Sequence, residues 1–130
     1  MVSQSDALWY EASWQLFWGI IFLTYKSLIL DNLGTTKDHD RSKWSSFTLY
    51  FMDMCGISYT LRALFCYVVV WWHSELCAFC LATMSLYNIA PFLLILKHGS
   101  LFAPGTRKLS LIIPVLEGGL CGLAYLYASR

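Results

Sequence analysis

The sequence predicts an all-α protein, a bundle of about four helices threaded through a lipid bilayer. Three observations predict it. Hydrophobic residues make up 58% of the 130 and charged residues only 13%, whereas a soluble domain carries about 25% charged. The mean hydropathy is +0.55. The apolar residues also fall into four stretches, 13–30, 47–72, 77–96 and 109–127, each near the ~20 residues a helix needs to cross ~30 Å of hydrocarbon. Lipid offers the backbone no hydrogen-bond partner, so such stretches are expected to be helices. Buried helices of a soluble protein are the alternative, and stretches this long with so few charges disfavour it.

The first stretch is preceded by a segment with no basic start that carries Asp6 and Glu11. No cleavable signal peptide is expected, and the stretch is expected to serve as an anchor. The polar run Asp31 to Lys43 then forms a loop. The second stretch is overlong and carries Asp53 and Arg62, with Gly56 between them as a candidate break. His73-Ser74-Glu75 is a short turn. The third stretch contains Pro91, and the segment from Lys97 to Lys108 holds Gly and Pro breakers and reads as a loop. The fourth contains Pro114 and the pair Gly118 and Gly122, a GxxxG spacing that predicts close helix–helix contact, within the chain before between chains. Trp9, Trp14, Trp44, Trp71 and Trp72 sit at or near stretch ends, where indole rings favour the headgroup region.

Lys37, Arg41, Lys43, Lys97, Arg107 and Lys108 all fall in the first and third loops. The positive-inside rule then places those loops in the cytosol and both termini outside or in a lumen, with the endoplasmic reticulum the expected membrane. A net charge of +1 creates no field that would gather nucleic acid. The expected partners are the bilayer itself and a lipophilic small molecule.

Ionisable groups inside a span cost about 2.5–3.5 kcal/mol each and mark a functional interior. Counting along the helices puts Lys26, Asp53 and Glu117 each roughly 7–12 Å below the cytosolic boundary, with Tyr87 and Asn88 a little deeper. They predict a polar layer. A carboxyl in apolar surroundings keeps its proton and can serve as a general acid, which makes Glu117 and Asp53 the candidate catalytic residues. Tyr50, Tyr87, Asn88 and Lys26 are the candidate substrate contacts. A structural role competes with this, in which Lys26 pairs with Asp53 or Glu117 or reaches up to the interface. Arg62 falls deeper, on roughly the opposite face of its helix from Asp53.

Cys77 and Cys80 form a C-x-x-C at the expected lumenal end of the third helix. A redox relay would need a second pair, and Cys55, Cys66 and Cys121 all lie within spans, so the cysteines read first as small apolar fillers. His39, His73 and His98 sit in separate loops, so no metal or cofactor is expected. Trp18, Phe22, Tyr50, Phe51, Tyr59, Phe65, Tyr67, Phe79 and Tyr87 line the helices. They read as lipid contact and packing, or as an aromatic-walled cavity suited to cations.

The middle of the chain resembles the C-terminal half of the fungal integral-membrane terpene cyclases of meroterpenoid and indole-diterpene biosynthesis. Arg41-Ser42-Lys43-Trp44-Ser45-Ser46 is similar to a polar R-G-x-S turn of that family. Thr48-Leu49-Tyr50-Phe51 with Gly56 is similar to its T-L-W-L…G helix start. Trp71 or Trp72 with the acidic turn resembles W-P-x-x-Y. Pro91-Phe92-Leu93-Leu94, then Pro104-Gly105-Thr106-Arg107-Lys108, resembles Y-P-x-x-L…P-D-G-R-K. The resemblance covers about half the chain and implies metal-independent, acid-initiated cyclisation of a prenyl chain. Family members are nearly twice as long, their first-half catalytic Glu has no counterpart here, and their second-half acid falls on Tyr87 or Asn88. The acid would then come from Glu117 or Asp53. Two further readings stand beside this one: a non-catalytic subunit or assembly factor of a membrane complex, and a small transporter or channel lined by Lys26, Asp53, Arg62 and Glu117.

Overall fold

The computed structural model describes residues 2–26, 29, 46–98 and 104–128. The first-loop cations Lys37, Arg41 and Lys43, the terminal Arg130, His39, Trp44 and the Arg41–Ser45 part of the resemblance lie outside the described residues, as do the side chains of Arg107 and Lys108.

Among the described residues, five α-helical segments form four rods: α1 (Gln4–Thr24), α2 (Ser46–Trp72), α3 (Cys77–Tyr87), α4 (Ile89–Lys97) and α5 (Pro104–Tyr127). A 3-10 turn, Ser74–Leu76, joins α2 to α3. No strand occurs among the described residues. By length and composition, 48–72, 74–97 and 110–127 can each cross a membrane, the mark of a membrane-embedded protein.

α1 begins well before the apolar stretch at 13–30 because its N-terminus is capped. Ser3 Oγ accepts the Asp6 N–H at 3.1 Å, and Ser3 N–H donates to the Asp6 carboxylate at 3.1 Å, a reciprocal capping box. The helix ends at Thr24, where Tyr25 leaves helical geometry. α1 is not among the three segments apolar enough to span, since Glu11, Gln15 and its Trp and Tyr rings dilute it.

α3 and α4 form one rod interrupted at Asn88. Pro91 has no N–H to give the Tyr87 carbonyl, and its ring crowds that carbonyl, so the helix loosens one turn earlier. α5 starts at Pro104, inside the segment expected to be a loop. Proline suits the first helical position, where its missing N–H would be unpaired anyway.

α1 packs along α2, and α3–α4 packs along α5. The two pairs meet where α1 touches α3 and α5, while α2 touches α3 only lightly. The core lies where α1, α2, α3 and α5 meet, around Leu8, Ala12, Cys66, Leu81, Met84 and Cys121. Two close approaches hold the pairs. Gly19 faces Thr60 and the Gly56 carbonyl, while Gly118 and Gly122 face Ser85. Ser85 Oγ donates to the Gly118 carbonyl at 2.8 Å, so the GxxxG spacing serves packing within the chain.

Candidate functional site

α1 carries its polar residues inward. Gln4, Glu11 and Gln15 are buried, while Trp9, Tyr10, Phe17, Ile20 and Leu23 face outward. The 4-8-11-15-19 spacing puts Gln4, Leu8, Glu11, Gln15 and Gly19 on one helical stripe. Gln15 Nε2 donates to Glu11 Oε1 at 2.6 Å, and Gln4 Nε2 donates to the Tyr125 carbonyl at 3.2 Å. In lipid this polarity is the stable one: apolar rings meet the tails and polar groups turn inside, where Gln15 Oε1 and Trp18 Nε1 are nonetheless left without a hydrogen-bond partner.

The residues predicted as a single polar layer fall in two places. Lys26 and Asp53 form an ion pair beyond the end of α1. Glu117 accepts a hydrogen bond from the Trp14 indole. Trp14 lies ten residues before Thr24 on α1, about 15 Å along the axis, so the two carboxyls have separate partners at separate depths. Tyr87 turns to Arg62, whose guanidinium lies 4.1 Å from its ring centroid. Asn88 is buried, donates Nδ2–H to the Met84 carbonyl at 3.0 Å, and sets its Cβ against Gly118. Tyr50 is exposed on α2 and stands apart.

Glu117 is central among the groups around it. Glu11 and Arg62 lie within electrostatic reach of its carboxyl. From its partner Trp14 a run of ring contacts extends along α1: Trp14 to Trp18 at 5.6 Å, Trp18 to Phe22 at 6.4 Å, and Phe22 to Tyr59 on α2 at 5.5 Å. Tyr59 then meets Arg62, 4.4 Å from ring centroid to guanidinium carbon. The aromatic residues thus form a continuous wall from a carboxyl to a cation. Glu11, Gln15 and Trp18 belong to this interior. Sequence reasoning passed over Glu11 and Gln15, although their helical spacing in an otherwise aromatic segment was a usable signal.

The cysteines also converge. Cys66, Cys77, Cys80 and Cys121 are buried in one core, Cys55 is half-buried, and all five are free thiols. Ser5 Oγ lies 3.6 Å from Cys77 Sγ. The C-x-x-C is therefore packed among two cysteines from other helices, and its position near a helix start does not leave it open. Among the described residues, no three His, Cys, Asp or Glu side chains are placed to hold a metal ion.

Several clefts open on the bundle's sides. One of about 250 Å³ lies between α3–α4 and α5, beside Asn88, Pro114 and Gly118. Another of about 720 Å³ opens at the α2–α3 turn, beside Gln4, Glu75 and Tyr125. Two more, of about 360 and 280 Å³, flank Arg62. Comparison with protein-family models, with curated proteins and with solved structures finds no match to this chain.

Proposed function

We propose that this chain is a membrane-embedded enzyme that performs acid-initiated cyclisation of a prenylated lipophilic substrate. The observation that carries the reading is Glu117, a half-buried carboxyl hydrogen-bonded to Trp14 at the head of the ring wall that leads to Tyr59. The partial resemblance to the membrane terpene cyclases supports the same reading. In it, the Glu117 O–H protonates an epoxide oxygen of the substrate. The C–O bond breaks towards that oxygen and leaves a tertiary carbocation. A neighbouring alkene attacks the cation to close a ring, and a base removes a proton from the final cation. Ring faces stabilise the cations in transit. Asp53, engaged by Lys26, is the second candidate acid. In this proposal the protein resides in the endoplasmic reticulum, with both termini lumenal and the lipid bilayer and the substrate as its partners.

The test is direct. Membranes carrying the protein are incubated with a prenylated aromatic epoxide, and products of unchanged mass but altered retention are sought. Glu117→Gln is expected to lower turnover by about 10²–10⁴-fold, the range of one general acid. Turnover that survives both Glu117→Gln and Asp53→Asn removes these residues from the mechanism. A stoichiometric partner retained through mild-detergent purification, with no product formed, favours the non-catalytic subunit instead.

A further inference from the structure

Arg62 sits on α2 ten residues before Trp72 and fourteen after Thr48. These offsets put it about 15 Å and about 21 Å from the two ends of that span, in the middle of the bilayer. A guanidinium at that depth is costly and needs compensation. Part of it is visible. The group is clamped between the rings of Tyr59 and Tyr87, 4.4 and 4.1 Å from their centroids, and Nε donates to the Ser58 carbonyl at 3.3 Å. The clamp satisfies the faces of the cation, but the N–H donors at its edge point within its plane. Nη1 is fully buried and has no hydrogen-bond partner.

The acids within electrostatic reach are already engaged. Glu117 accepts from Trp14 and Glu11 accepts from Gln15. Neither forms an ion pair with Arg62, and the only described ion pairs are Lys26–Asp53 and His73–Glu75. The packing leaves room instead. α2 meets the α3–α4 rod only lightly, and the gap forms a crevice of about 280 Å³ lined by Arg62, Tyr59 and Tyr87, with Pro91 also on its wall. A second crevice of about 360 Å³ shares Met54, Ser58 and Arg62 with it and runs along Ile57, Leu61 and Phe65. Both open sideways, where the lipid tails would lie.

We propose that the crevice between α2 and the α3–α4 rod binds a long-chain carboxylic acid from within the bilayer, its carboxylate on Arg62 between Tyr59 and Tyr87. The planar guanidinium matches a carboxylate edge to edge. The tyrosine rings exclude lipid from the ion pair, and Met54, Leu61 and Phe65 receive the first methylenes, the remainder of the chain lying among the tails. A phospholipid phosphate fits less well: Arg62 lies about 15 Å below the interface, a depth that a carboxylic acid can reach in its neutral protonated form and ionise on the guanidinium, whereas a phosphodiester keeps its charge all the way down. The inference does not depend on the cyclisation reading.

The full chain in phosphatidylcholine nanodiscs is irradiated with a diazirine-bearing palmitic acid and, separately, with its methyl ester, and the labelled peptides are mapped. The acid is expected to label the segments around Met54–Phe65 and Tyr87–Phe92 at least about tenfold more than the ester, the factor a charge-assisted pair supplies. Unlabelled palmitate is expected to compete and methyl palmitate is not. Arg62→Gln is expected to lose the preference for the acid. Equal labelling by acid and ester in the unmutated chain overturns the proposal, a result that needs no variant to fold. So does undiminished acid labelling in Arg62→Gln, or competition by phosphatidylglycerol as strong as that by palmitate.

Discussion

At the head of α1, the Ser3 hydroxyl and N–H both donate to the Asp6 carboxylate, at 2.7 and 3.1 Å. These bonds hold the Asp6 carboxyl below its ordinary 3.8. A folded-state value below the ordinary one contributes stability above 3.8 and loses it as pH falls through the lower, folded-state value. The first turn of α1 is therefore expected to fray in acid while the bundle stays intact. Amide exchange at Asp6 and Ala7, corrected for intrinsic rates, reads this directly. Ser3→Ala should speed that exchange about fivefold at neutral pH, as loss of an N-cap does, and should shrink the acid step to what the remaining backbone N–H bond to Asp6 supports. At the other end of the same helix, Lys26 and Asp53 form an ion pair that is only partly sheltered, the Asp53 side chain being 43% exposed. A double-mutant cycle with Lys26→Met and Asp53→Asn, read by thermal unfolding in detergent, should give a coupling of about 1 kcal/mol, at the upper end of exposed pairs. A coupling near zero would make the contact incidental. The sequence already showed that Lys26 had two acids to choose from. It could not choose, because the choice depends on where α1 stops, and Tyr25 breaks the helix just before Lys26.

α1 packs along the length of α2, and the two backbones come nearest at Gly19. A Cβ built on Gly19 would sit 2.4 Å from Thr60 Oγ1 and 3.0 Å from the Thr60 nitrogen. The hydroxyl could rotate away, but the backbone could not, and so α1 would have to lift off α2. Gly19→Ala is expected to cost about 1–3 kcal/mol, the range for overpacking. Gly119→Ala is the control: nothing lies within 4 Å of its Cβ position, and alanine is the better helix former by about 1 kcal/mol. Thermal unfolding of the two variants in one detergent separates a packing role from a mere propensity effect, and equal shifts would refute the close approach. The sequence drew attention to Gly118 and Gly122 because their GxxxG spacing lies within one helix. The Gly19–Gly56 contact joins two helices far apart in sequence, and no local pattern encodes that. Proline marks a weak point in a helix by local stereochemistry, yet the rod is interrupted at Asn88 before Pro91 while α5 runs on through Pro114, so proline alone does not decide where a helix breaks. The start of α5 was not legible, because Pro104 begins a helix as readily as it marks a loop.

Across the whole molecule, the surface inverts that of a water-soluble bundle by being apolar, while a few polar residues are buried beside a core that is itself apolar. Large apolar side chains such as Phe17, Phe51, Leu64 and Leu120 are exposed, while Gln4, Glu11, Gln15 and Asn88 are buried. That inversion was readable as composition, since too few charges were present to coat a surface. It was not readable as a site, because the interior is assembled from single residues on four rods. The cysteines give a test of the assembly. Cys66, Cys77, Cys80 and Cys121 come from α2, α3 and α5, and each is at most 3% exposed, whereas Cys55 is only partly covered. Every one of the four is shielded by a helix other than its own, so protection requires all the rods in place at once. N-ethylmaleimide, which enters lipid, should modify at most Cys55 in the native protein in mild detergent, seen as a single added mass. All five thiols should react once the chain is unfolded in dodecyl sulfate. If Glu11→Leu folds with the same protection, the buried carboxylate is dispensable for assembly. Its side chain bonds Gln15 beside this core, and removing it leaves Gln15 Nε2 without an acceptor, so the expected result is partial exposure of Cys66 and Cys121. These two thiols are the pair within electrostatic reach of Glu11. Rapid modification of all four in the unmutated chain would mean that the rods do not pack as one bundle, and the polar interior built on that packing would not exist.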